Sequence, residues 1–105
     1  MNVVYTIEVL HELRAARRWY NVRAAGTGDR LIDLVDEKVG AISRAPMSFP
    51  RDRQDPVVRR ARLRKYPYTL LFMVQNDVVV ILLALVHGRR KPGYWKRRLR
   101  VAPSK

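Results

Sequence analysis

Nine consecutive apolar residues, 78–86 (VVVILLALV), constrain this chain more than any other stretch. Apolar side chains on both parities of an alternating strand need cover on both faces. The run therefore fits a doubly buried strand or a short buried helix. Its length and its β-branched start, Val78-Val79-Val80-Ile81, favour the strand. The character then changes at once: His87, Gly88, Arg89, Arg90, Lys91, Pro92, Gly93, Tyr94 and Trp95 follow. An imidazole, three cations and two aromatic rings leave the most rigid element of the fold together, where a fixed scaffold can hold them.

A chain of 105 residues has room for one domain around one core, and 48% apolar residues is ordinary for a globular protein. The formal charge of +13 is not ordinary, and it is unevenly placed. Residues 1–56 carry 9 basic and 8 acidic side chains, whereas residues 57–105 carry 13 basic and 1 acidic, Asp77. A neutral first half thus supports a polycationic second half. The plainer explanation is a face kept soluble by charge, but such faces normally mix signs. The imbalance points instead to a polyanionic partner: nucleic acid, an acidic membrane face or an acidic protein segment.

There is no cysteine, so disulfides and thiolate metal sites are excluded and a reducing cytoplasm fits. His11 and His87 are the only histidines, too few and too separated to suggest a metal centre. The start MNVVYTIEVL has no secretory pattern. Nine apolar residues fall short of the roughly 20 that span a bilayer, so a soluble protein without a membrane role is expected.

In order along the chain, residues 2–5 form a short strand candidate and Thr6 an N-cap. Val9, Leu13, Ala16 and Tyr20 then mark one face of an amphipathic helix running to about Arg23, with Leu10 and Trp19 widening the stripe. Glu12, Arg14, Arg17, Arg18 and Asn21 fall on the wet face. Gly26-Thr27-Gly28 breaks the helix, and Thr27 or Asp29 can cap the next one. Leu31, Leu34, Val35, Val39 and Ile42 give a second apolar face, and the step Ala45-Pro46 ends it. Two such helices form an antiparallel hairpin whose shared apolar side needs a sheet as cover. After an irregular, proline-marked segment at 46–56, residues 57–65 alternate. Val57, Ala61 and Leu63 take one side and Arg60, Arg62 and Arg64 the other, about 7 Å apart and mutually repelling unless an anion lies between them. Tyr66-Pro67 turns the chain, 68–74 makes another strand, and Gln75-Asn76-Asp77 is a hairpin turn. The expected fold class is α+β: a strand, a helical hairpin and a three-stranded antiparallel meander, with the helices on one face of a four-stranded sheet. Residues 96–105 read as a basic, loosely held tail of this single domain.

The order of elements, Trp19-Tyr20 after the first helix, Gly-Thr-Gly between helices, the strand RRARLRKYPYTLLF and the ending ALVHGRRKPGYW together resemble the RelE/ParE superfamily of toxins from type II toxin–antitoxin systems. The HGRRKPGYW ending is more similar to the ParE-like plasmid-stabilisation branch than to RelE. The likeness covers nearly the whole chain. It implies a small cytoplasmic protein, without cofactor, held in a hetero-oligomer by a co-expressed acidic antitoxin. ParE-like members poison DNA gyrase; RelE-like members cut messenger RNA on the ribosome without a metal. The gyrase reading comes first and the ribonuclease second. A non-toxic basic module that binds RNA is the third class.

Metal-free RNA cleavage needs proton-transfer groups and cations on the phosphate. His87 suits either proton role, while Arg62, Arg89 or Arg90 suits the phosphate. Tyr94 suits stacking or proton donation. The resemblance implies an arginine on the strand at 57–65 together with an arginine and a tyrosine near the C-terminus, which Arg62 or Arg64, Arg89 or Arg90, and Tyr94 match in place. No glutamate follows Glu37, so a carboxylate base has no counterpart in that half. For binding a polyanionic target the candidates are Arg60, Arg62, Arg64, Lys91, Trp95, Lys96, Arg97 and Arg98. His87 closing its strand by a backbone hydrogen bond, and Trp95 and Tyr94 folding back as a lid, are the plainer alternatives.

Overall fold

In this computed structural model, which describes residues 1–100, the first strand β1 (Asn2–Tyr5) passes directly into helix α1 (Ile7–Arg23). Thr6 makes that junction. Its hydroxyl accepts the Val9 amide at 3.2 Å, capping the helix, and donates to the Leu82 carbonyl at 2.9 Å. Val9, Leu13 and Ala16 are buried and Tyr20 half-buried, as the spacing predicts. Trp19 departs from that expectation. It stays 50% exposed, its ring edge-on to Tyr20 and covered by the Arg23 guanidinium at 3.6 Å.

Helix α2 (Thr27–Arg44) is antiparallel to α1 across a short connection. Gly26 adopts φ 87°, a left-handed conformation that only glycine takes cheaply. At Gly28 a Cβ would stand 2.0 Å from the Arg17 carbonyl oxygen, so glycine is the residue that lets the two helices approach. The cap of α2 comes from neither Thr27 nor Asp29. Asn21 reaches across from α1, its side-chain oxygen accepting the Gly28 amide at 2.7 Å and the Asp29 amide at 3.3 Å. Asp29 accepts from Arg17 and Asn21, and these bonds hold its carboxyl below the usual range. Leu31, Val35, Val39 and Ile42 are buried, and the helix ends at the Ala45-Pro46 step.

The remaining strands are β2 (Arg59–Arg62), β3 (Tyr68–Gln75) and β4 (Val79–His87). They form an antiparallel meander, and β1 joins it parallel to β4, giving the order β1-β4-β3-β2. Asn76 and Asp77, both at positive φ (54° and 59°), turn the β3–β4 hairpin. Strand β2 is shorter than the alternation at 57–65 suggested. Val57 is exposed and Val58 is buried on the far face, because the chain enters the strand from a loop stapled by Asp52.

Both faces of β4 are covered, as its composition requires. The helices pack on Leu70, Phe72, Val80, Leu82 and Leu85. The opposite face, with Val58, Leu71, Ile81, Leu83 and Ala84, is closed by Trp95, itself 2% exposed, and by Leu99 of a 3₁₀ helix (Lys96–Arg100). The first part of the expected loose tail is therefore packed; residues 101–105 lie outside the described residues.

Candidate functional site at the C-terminal end of the fourth strand

Strand β1 is four residues long and β4 nine, so pairing along that edge of β4 stops at Leu82. Beyond it β4 has backbone groups with no strand beside them, and such groups demand partners. Two side chains supply them. Glu12 of α1 accepts the Leu85 amide at 2.9 Å, and Arg98 donates to the Leu83 carbonyl at 3.0 Å. The two side chains also pair with each other, bidentately, at 2.9 and 3.1 Å. The second Glu12 oxygen additionally accepts the Tyr94 hydroxyl at 2.9 Å. Glu12, expected on the wet face of α1, is thus the hub that fastens the C-terminal segment to the sheet.

This arrangement decides the chemistry of Tyr94. Burial, then the Glu12 charge and the hydrogen bond to it, push the Tyr94 hydroxyl up to about 12. Its proton is committed to Glu12. The ring lies under the Arg90 guanidinium at 3.8 Å, with Arg98 at 5.2 Å. For Arg98, burial opposes the charged form, but hydrogen bonding and charge from Glu12 outweigh it, so its pKa is raised.

Between His87 and Trp95 the chain descends in successive turns. The Gly88 amide bonds the Pro67 carbonyl, and the Arg90 amide bonds that of His87. His87 Nδ1 accepts the Arg89 amide at 3.0 Å, and its ring stands edge-on to Tyr68 at 5.2 Å. That bond locks the first turn of the segment and leaves Nε2 as the open nitrogen of the ring. A groove of about 380 Å³ opens beside it, between α1 and the sheet, lined by Trp19, Tyr20, Tyr68, His87, Arg90 and Tyr94.

The cations expected to form one plate divide into two groups. Arg60 is bound to Asp52, whose side chain is 2% exposed, at 2.6 Å, so it neutralises a buried carboxylate. Arg64 follows the end of β2 and lines a small depression with Leu34, Glu37 and Lys38 of α2. Arg62 and Arg64 share a shallow depression with Lys65, Tyr66 and Pro67, so the row Arg60, Arg62, Arg64 is one cation spent on Asp52 and two left open. Arg98 is engaged by Glu12, and Trp95 is core rather than a stacking surface. Among the described residues, Arg62, Arg89, Arg90, Lys91, Lys96 and Arg97 have no ion-pair partner. Arg62 pairs in register with Thr69, and Thr69 with Val86, so it lies on the sheet rungs from which the Arg89–Lys91 turn departs.

Sequence reasoning missed Glu12 and Asp52. Asp52 sits in a segment with no periodicity. The one signal for Glu12 was its place on α1 one residue before the buried Leu13, at the border of the apolar stripe.

Residues 3–92 match the family model of the ParE toxin of type II toxin–antitoxin systems, parDE. Tyr94 and Arg98 fall beyond the matched stretch. Among solved structures, the fold is similar to a chain of the chromosomal ParDE toxin–antitoxin system from P. aeruginosa. That likeness has a TM-score of 0.74 at 19% identity and covers 83% of this chain and 95% of that one. It is also similar to the isolated E. coli RelE toxin, with a TM-score of 0.59 at 19% identity over 95% of this chain and 97% of that one. No curated protein matches the sequence. The order strand, helical hairpin, meander, the polycationic exit of β4 and the match over residues 3–92 agree: this chain belongs to the ParE toxin family of type II toxin–antitoxin systems.

Proposed function

We propose that the chain is a growth-arresting toxin that inhibits DNA gyrase by binding, acts in the cytoplasm, and is silenced in a hetero-oligomer by a cognate acidic antitoxin. One observation carries this reading in a member of the ParE toxin family: Arg89, Arg90, Lys91, Lys96 and Arg97, without ion-pair partners among the described residues, crowd one segment fastened to the rigid end of β4. Cations held this way recognise an anionic surface at little ordering cost. Arg62 extends the same positive end of the sheet.

The second reading, ribosome-dependent cleavage of messenger RNA with His87, Arg62, Arg89, Arg90 and Tyr94 as the working groups, has less support from the geometry. Cleavage needs a proton donor and an acceptor free to exchange. Tyr94 gives its proton to Glu12, and His87, held at Nδ1 by the Arg89 amide, offers Nε2 alone, one exchanging group where the reaction needs two. Two assays on purified protein test the choice: supercoiling by gyrase, and the integrity of a message under translation. Supercoiling should stop while the message stays whole. Message fragments with unhindered gyrase would overturn the gyrase reading in favour of the nuclease.

A further inference from the structure

The cations of the C-terminal segment repel one another, and the turns that carry them bond mainly among themselves, from the Arg90 amide on His87 to the Arg98 amide on Trp95. Left to electrostatics such a segment would spread. What ties its polar side to the body of the protein is a carboxylate more than seventy positions earlier in the chain. Both Glu12 oxygens accept two hydrogen bonds each: Leu85 and Arg98 on one, Tyr94 and Arg98 on the other. Arg90 has no other side-chain partner among the described residues and stacks on the Tyr94 ring, so its position follows from that of Tyr94. Arg98 in turn closes the unpaired edge of β4 at Leu83. The order of dependence runs from Glu12 to Tyr94 to Arg90.

We propose that Glu12 is the positioning residue of the target-binding segment: by clasping Leu85, Tyr94 and Arg98 at once, its carboxylate sets where Arg90 and Arg97 stand. The inference rests on the reading of that segment as the part that meets the target. It does not depend on whether the target is gyrase. Glu12 touches no target itself. Among the described residues it is also the one acidic side chain ion-paired into the segment, so it lowers the local positive charge it organises.

That opposition gives the test. If charge alone mattered, Glu12→Gln would strengthen every interaction with a polyanion, because it removes a negative charge. If Glu12 acts by position, specific action falls while general polyanion affinity does not. The variant is expressed at matched levels in cells, and purified for heparin binding and for acrylamide quenching of Trp95 in a Trp19→Phe background. We expect survival after induction to rise at least tenfold, heparin affinity to hold or increase, and Trp95 to become more quenchable, with the helical signal intact. Undiminished growth arrest by Glu12→Gln overturns the proposal. Should that variant fail to fold, Tyr94→Phe decides, since it leaves the pair of Glu12 with Arg98 in place. Survival should then rise about threefold, and unchanged arrest again overturns the proposal. The triple variant Arg89→Ser/Arg90→Ser/Lys91→Ser separates the two layers. If it arrests growth like the parent, the segment is not the target-binding part; if it loses arrest while Glu12→Gln keeps it, only the role of Glu12 is wrong.

Discussion

Two helices of 17 and 18 residues cover one face of the sheet, whereas Trp95 and the five-residue 3₁₀ helix behind it close the other. On the first face, apolar side chains meet at helical spacing and few polar groups are involved. On the second, one indole fills the space and a polar clasp at the edge of β4, of Glu12, Tyr94 and Arg98, holds the closing segment down. A broad cover spreads its stability over many apolar side chains. A narrow cover concentrates its stability in a single ring and a single carboxylate. That narrow cover also carries the free cations, so stability and the proposed function meet on the same few residues.

The comparison breaks or sharpens at three points. Trp95→Ala should cost about 4 kcal/mol, and Leu31→Ala on the helical face about 3 kcal/mol, measured by urea denaturation. A loss below about 1 kcal/mol for Trp95→Ala would mean that the second face needs no cover. Next, Tyr94→Phe should cost about 1 kcal/mol near neutral pH and should change the alkaline limb of stability. The folded Tyr94 hydroxyl titrates at about 12, above its ordinary 10.0. Its contribution is fully present below pH 10.0 and is lost as the pH rises through about 12. Denaturation midpoints between these values should fall more steeply for the parent than for Tyr94→Phe; equal slopes would remove the clasp from the stability of the second face. Smallest of all, Arg62→Ala should alter stability by less than about 0.5 kcal/mol. It should also lower the salt slope of polyanion binding by about one phosphate contact. An unchanged slope would make Arg62 a solvated side chain and confine the binding surface to the segment after β4.

Much of the first face was legible in the sequence. The spacing of Val9, Leu13 and Ala16 and of Leu31, Val35, Val39 and Ile42 encodes which side of each helix is buried, because a helix repeats every 3.6 residues whatever lies against it. The apolar run at 78–86 likewise announced a strand covered twice. The site was legible in part: the cations and aromatics after His87 were visible as a group, but their division into bound and free was not. Arg60 and Arg62 are indistinguishable in an alternating pattern. Asp52, from a loop without periodicity, turns the first into a structural ion and leaves the second exposed.

The chain's local patterns therefore determined its elements, their buried sides, the turn at Asn76-Asp77 and the concentration of positive charge in the second half. Only the tertiary structure decided which charges are spent within the molecule. Ion pairing depends on which residues distant in sequence are brought within about 3 Å, and that distance is fixed by the fold rather than by the repeat of any one element. Glu12 meeting Leu85, Tyr94 and Arg98 at the open edge of β4 is such a meeting: its three partners come from a strand and a segment that no helical periodicity connects to α1.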